Sequence, residues 1–183
     1  MLGFLLILVL PPAIFYGWFE LQSRATVDRN ALDPGFANAL KHADAAATVY
    51  SVLRLVGVSA GAAENSAVKL GIINEQVEIY VKRGSKDSTI EMMRDFHNNM
   101  VGITVAKWRY SLTASDRRSR SEQLVALART GVLLRSRHDI SLSPEEAHRA
   151  EQGADIDWAI NWFRRNMAAI EKRTMQSLRE TGL

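Results

Sequence analysis

One helical face near the middle of the chain carries amides and a carboxylate where an ordinary core helix carries apolar side chains. Asp95, Asn98, Asn99 and Gly102 stand at i, i+3, i+4 and i+7 within Arg94-Asp95-Phe96-His97-Asn98-Asn99-Met100-Val101-Gly102, so they share one face of a helix. Met93, Phe96, Met100 and Ile103 form an apolar stripe beside them. The polar stripe therefore borders the buried side, and carboxylates and amides there need partners. This requirement limits the fold, because other elements must deliver polar groups to the same depth.

Two earlier periodic segments can do so. After the turn residues Asp33-Pro34-Gly35, the spacing of Ala39, Ala43, Ala46, Val49, Val52, Leu53 and Val56 predicts a helix from about Phe36 to Val56, with His42 early in it. Gly57 to Gly61 breaks the pattern, and a second helix is predicted from about Ala62 to Lys82, with Gly84 as its C-cap. Ala67, Leu70, Ile73 and Val77 mark its expected buried stripe, and Glu75 and Glu78 share one side. The third helix, from about Ser88 to Tyr110, carries the polar face. Short connections make sequential helices antiparallel neighbours, which lets His42, Glu75 and Asp95 meet. Taken singly, each of these residues has an ordinary reading: a half-buried histidine and surface carboxylates.

The three segments Asn38-Ala39-Leu40-Lys41-His42-Ala43, Asn74-Glu75 and Asp95-Phe96-His97-Asn98-Asn99-Met100-Val101-Gly102 together resemble an uncharacterised all-α bacterial domain found at the ends of Rhs-type and other secreted polymorphic-toxin proteins. That family shows Arg-His-Ala, His-Glu and Asp-x-x-Asn-Asn-x-x-Gly in this order, and the resemblance covers about Phe36 to Leu134. Lys41 stands where the family usually has Arg, and Asn74 where it often has His. The resemblance implies an all-α fold and a shared polar centre.

The chain opens with Leu2 to Phe19, eighteen uncharged residues interrupted by Pro11-Pro12 and two glycines. That length reaches the lower limit for a membrane helix, and such helices tolerate proline when neighbours satisfy the freed backbone groups. No basic residue precedes the run and no small-x-small cleavage site follows it around Leu21-Gln22-Ser23, so an uncleaved anchor with Tyr16 and Trp18 at the interface is expected over a cleaved signal peptide. The expected organisation is an anchor over residues 1–22, a linker over 23–35 and a helical domain over 36–183, of which 36–134 is the family-like core and 143–183 the C-terminal helices. Arg24 and Arg29 after the run lean toward a cytoplasmic domain, although large domains cross regardless of nearby charge. The expected localisation is thus a bacterial membrane, single-pass, with the side of the domain left open.

Beyond Tyr110, Ser115 to Glu122 is a polar, basic connector; with Lys107 and Arg109 it offers five cations to lipid headgroups or another polyanion. No aromatic interleaving or nucleic-acid motif accompanies it, so no nucleic-acid partner is expected. A fourth helix is predicted from about Ser121 to Ala128, with Leu124, Leu127 and Ala128 inward, followed by Val132-Leu133-Leu134 packing back on the core. Ser143-Pro144-Glu145-Glu146 is a helix start with a capping box. The last helix, from Asp155 to about Glu180, has an apolar seam of Ile156, Ile160, Phe163, Met167 and Ile170. Trp158 and Trp162 lie nearly opposite that seam, flanked by Arg164 and Arg165, and at least one of these indoles is expected to face a protein partner or the membrane interface.

The fold class predicted is all-α: an N-terminal membrane helix followed by a compact bundle of about five to six helices. With 47% hydrophobic residues, a net charge of +3 and no cysteine, the 183-residue chain has enough apolar content for one core and no thiolate chemistry. Gly-rich phosphate loops, Gly-x-Ser-x-Gly, His-Glu-x-x-His and dinucleotide fingerprints are all missing from it. Two function classes stay open. One is a membrane-anchored structural or interaction protein whose polar centre pins three helices. The other is a hydrolase in which His42, Glu75 and Asp95 act as acid, base or ligands of a divalent metal, with Asn98 or Asn99 positioning substrate.

Overall fold

Small residues at helix contacts and polar caps at helix ends set the layout of the chain. The computed structural model describes residues 12–81, 89–111, 119–151 and 155–182. Among them are seven α-helices, one 3-10 turn and no strand: α1 (Pro12–Arg29), α2 (Phe36–Leu55), α3 (Ala60–Val81), α4 (Thr89–Ser111), α5 (Arg120–Arg129), the 3-10 turn Arg137–Asp139, α6 (Pro144–Glu151) and α7 (Ile156–Glu180). The bundle is all-helical, as the periodicity predicts.

The axis of the bundle is α4. Between Met92 and Ala106 every one of its residues except Arg94 is buried, so it is covered on all sides. Its most extensive contacts are with α2 on one side and α7 on the other. On the α7 side the core is built from Met92, Phe96, Met100, Leu124, Leu127, Leu133, Phe163 and Leu178, with the Phe96 and Phe163 rings 5.4 Å apart. On the other side a smaller alanine-rich cluster, Ala46, Ala47, Ala63, Ala67 and Ala106 with Tyr50 and Ile103, lets α2, α3 and α4 approach closely.

Helix ends follow the local chemistry. Asp33 Oδ1 accepts from the Gly35 N–H at 2.8 Å, making the turn that starts α2. Past α2, Gly57 takes φ +90°, a left-handed conformation open to glycine. Ser119 and Glu122 form a capping box on α5. The Ser143–Glu146 box predicted for α6 is present, with reciprocal bonds of 3.0 and 3.2 Å. Asp155 caps α7 by accepting from the Trp158 N–H at 2.9 Å, while its own N–H donates to Thr89 Oγ1 at the start of α4.

Four expectations need correction. The segment 23–35 is not a linker throughout: α1 continues to Arg29, because Ser23 and Val27 are buried against the bundle and α1 packs along α2. The apolar stripe of α3 is only partly inward; Ala63 and Ala67 are buried, but Leu70, Ile73 and Val77 are each about half exposed. The small alanines carry the contact, and the larger residues fall outside it. Trp158 and Trp162 are both 8% exposed, buried by their own chain, which overturns the expectation of an indole facing a partner. The Arg149 guanidinium lies 5.2 Å from the Trp158 ring centre and covers it. Lys107, expected among the headgroup-facing cations, is instead held by Glu64 of α3 at 3.0 Å and by Glu171 of α7.

Among the described residues no helix is long and apolar enough to cross a membrane. Most of the Leu2–Phe19 run, the Gly84 cap and residues 112–118 of the basic connector lie outside the described residues.

Candidate functional site

The crossing of α2 and α4 determines what can meet beside it. Gly102 lies directly against the α2 backbone: a Cβ built there would fall 1.9 Å from the Ala43 carbonyl oxygen and 2.6 Å from its carbon. No side chain fits, so glycine at 102 sets the distance between the two helices.

With the helices this close, His42, one residue before Ala43, and Asp95, two turns before Gly102, come together, and α3 brings Glu75 from the flank. His42 Nε2 is 3.5 Å from Asp95 Oδ2, and His42 Nδ1 is 3.9 Å from Glu75 Oε1. One potential ligand atom from each of the three lies within 4.8 Å of the others. All three residues are more than nine-tenths buried.

Neighbours orient the centre. Asn38, one helical turn before His42, donates from Nδ2 to Asp95 Oδ1 at 3.1 Å. Arg94 folds back on the adjacent Asp95, with Nε to Oδ1 at 2.9 Å and Nη2 to Oδ2 at 3.2 Å. The Asn74 amide reaches Glu78 Oε1 at 3.2 Å and Glu75 Oε1 at 3.5 Å. Lys41 is buried along its stem and places Nζ 3.4 Å from Glu20 Oε2, so α1 also reaches this region. Burial holds the His42 imidazole below its ordinary pKa, against the pull of the Asp95 carboxylate, and Lys41 and Arg94 push the same way as burial. A neutral imidazole can accept a proton or a metal at a ring nitrogen.

Of the three, His42 borders a pocket. This pocket of about 240 Å³ is lined by residues of α1, α2, α3 and α4, with Phe19, Ala46, Val49 and Leu70 as apolar walls and Lys41, His42, Asn74 and Asn99 as polar groups. Asn99 stands over Gly71, where a Cβ would come within 2.8 Å of its Nδ2.

Of the five predicted site residues, four gather here and one does not. Asn98 points to the other edge of α4, where its Nδ2 donates to the Leu134 carbonyl at 2.9 Å and its Oδ1 accepts the Leu134 N–H at 2.9 Å. It is fully buried and its amide is used by the 132–134 segment, so it cannot position a substrate beside His42. His97, assigned no role from sequence, joins it by donating from Nε2 to the Val132 carbonyl at 2.9 Å. The available signal was the non-helical apolar run Val132-Leu133-Leu134 after Gly131, whose buried backbone groups need side-chain partners. The roles of Asn38 and Arg94 also went unassigned, although both stand within the quoted motifs.

Comparison with protein-family models, with curated proteins and with solved structures finds no match for this chain. The likeness to the polymorphic-toxin domain rests on its residues alone.

Proposed function

We propose that the chain is a membrane-anchored helical protein of structural or interaction type, in which the His42–Glu75–Asp95 centre joins α2, α3 and α4. The observation that carries the anchoring is the end of the bundle at which the Leu2–Phe19 run enters. There Trp18, Leu55 and Tyr110, all exposed, line one open concavity of about 650 Å³ together with Arg109 and with Arg120, which is paired with Asp44 in the same lining. Exposed aromatic and aliphatic side chains beside arginines are the composition of a bilayer interface. The continuity of α1 through Ser23, which is buried, supports an uncleaved N-terminus, since cutting there would divide a packed helix.

The test is fractionation. The full chain should stay with membranes through a high-salt wash, and a chain lacking residues 1–11 should lose that retention while keeping its helical content. Recovery of the full chain in the soluble fraction, or a mature N-terminus near Ser23 or Ala25, would remove the anchor from this reading.

A second reading, a hydrolase acting through His42, Glu75 and Asp95, is favoured by one observation. A network that only pins helices has no need of an opening, yet His42, Asn74 and Asn99 line a pocket.

A further inference from the structure

The spacing of the buried centre is too long for direct hydrogen bonds and suits a shared ion. Strong hydrogen bonds between nitrogen and a carboxylate run at about 2.7–3.0 Å. His42 Nε2 is 3.5 Å from Asp95 and Nδ1 is 3.9 Å from Glu75, although all three side chains are buried, and one ring nitrogen with one oxygen of each carboxylate lies within 4.8 Å of the others. We propose that this centre binds one divalent transition-metal ion of the zinc type, through one ring nitrogen of His42 and one carboxylate oxygen each of Glu75 and Asp95. The proposal goes beyond the structural reading, because a pinning network requires no metal, and it stands whether or not the chain is anchored.

Geometry supplies the first argument. With metal–ligand bonds of about 2.0–2.2 Å, neighbouring ligand atoms on a common ion lie roughly 3.0–3.5 Å apart. The three donor atoms here are already within 4.8 Å of one another. Side-chain shifts of about an ångström or less would close them on an ion. Orientation supplies the second. Asn38 and Arg94 hold Asp95 Oδ1 at 3.1 and 2.9 Å, and Oδ2, which faces His42, takes one longer Arg94 bond of 3.2 Å; such outer support is what metal ligands receive.

Asn99 is the independent observation. It is 93% buried, being 7% exposed, one helical turn beyond Asp95 on the same face of α4. Its side-chain amide makes no hydrogen bond among the described residues and is not sealed off as a buried unsatisfied group; it lines the pocket that contains His42. Facing this pocket, it supplies an oxygen or an N–H to whatever occupies the remaining coordination positions. Three protein ligands with further positions open to a pocket form the open type of metal site, in which a bound water completes the shell. The donor set of imidazole and carboxylates, without thiolate, suits Zn²⁺, Co²⁺ or Mn²⁺ and disfavours soft Cu⁺.

The test uses the full chain in detergent, stripped with EDTA. Titration with Zn²⁺ by calorimetry should give one ion per chain, and Co²⁺ should produce visible d–d absorption that Zn²⁺ displaces. Zinc in large excess over its Kd should raise the melting temperature by several degrees, since only the folded state assembles the three ligands. Glu75→Gln and Asp95→Asn should each weaken Zn²⁺ binding by at least about tenfold. If the stripped wild-type chain takes up no Zn²⁺ and gives no Co²⁺ bands, the site does not exist, a result that stands even if the variants fail to fold. Unchanged affinity in folded Glu75→Gln and Asp95→Asn would place the metal elsewhere and overturn the assignment equally.

Discussion

The two polar edges of α4 carry similar residue types and behave differently. On one edge, His97 and Asn98 meet the backbone of residues 132–134 through three contacts of 2.9 Å, with every donor aimed at an acceptor. On the other, Asp95 and Asn99 face His42, Glu75 and a pocket, with separations of 3.5 and 3.9 Å and an amide without a partner among the described residues. The first edge replaces the backbone pairing that a loop buried on a helix lacks, so its geometry is closed. The second is held from outside by Asn38 and Arg94 while its centre stays loose. Polar burial is therefore not one phenomenon here: spacing and satisfaction separate a fastening from a site.

The largest expected effect comes from the residue that sets the contact of α2 with α4 beside the looser edge. Gly102→Ala puts a methyl group into the Ala43 carbonyl, forces α2 and α4 apart, and should remove more than about 4 kcal/mol of stability or prevent folding, measured by urea unfolding. Near-wild-type stability would mean that the crossing is plastic and that the loose edge owes nothing to it.

Acid should act on the closed edge through His97. Burial pushes the His97 pKa from its ordinary 6.5 to about 4, with the nearby Arg173 adding to the depression and the Val132 hydrogen bond opposing it. As pH falls, the unfolded chain takes up this proton before the folded one. The His97 contribution is thus fully present above about pH 6.5 and is lost as pH falls toward 4, on the order of 3 kcal/mol in total. Unfolding series at stepped pH should show this slope, and His97→Gln should remove the His97 part of it. His42, held low by burial, titrates in the same direction, as do Glu20 and Asp155, whose carboxylates are also held low.

The comparison is sharpest between adjacent asparagines. Asn98→Ala leaves the buried N–H and carbonyl of Leu134 unpaired and should cost roughly 2–3 kcal/mol. Asn99→Ala removes no hydrogen bond within the described chain and should change stability by less than about 1 kcal/mol. Equal effects in the two unfolding curves would dissolve the distinction between the edges.

Much of this arrangement is legible in the amino-acid sequence, for identifiable reasons. Helix ends are set by local chemistry, so Ser143-Pro144-Glu145-Glu146 and Asp33-Pro34-Gly35 mark their boundaries to within a residue or two. His42, Glu75 and Asp95 were found because polar residues in helical register beside apolar ones demand partners. What stayed hidden depends on tertiary choice. Whether Asn98 turns toward α2 or toward the 132–134 segment is decided by which side the loop packs, and spacing along α4 does not encode that. Leu70, Ile73 and Val77 have the period of a buried stripe, but the close approach permitted by Ala63 and Ala67 makes the alanines the contact instead. Trp158 and Trp162 stand away from the apolar seam of α7, yet both join the main core, with Arg149 laid over Trp158, while the exposed face of the helix carries Asn161, Arg164 and Arg165.

The shallow seating of α3 has a consequence for motion. It rests on alanines, leaves three large apolar residues half in water, and is reached from α2 by the short turn Val56–Ser59. Little apolar surface has to be re-wetted for it to lift, so its amides should exchange with solvent through sub-global opening well before those of α4, which is buried on all sides. Glu75 travels with α3. Each such opening takes one carboxylate away from His42 and Asp95 without unfolding the axis helix, so the centre can be disassembled and rebuilt on a timescale set by one outlying helix.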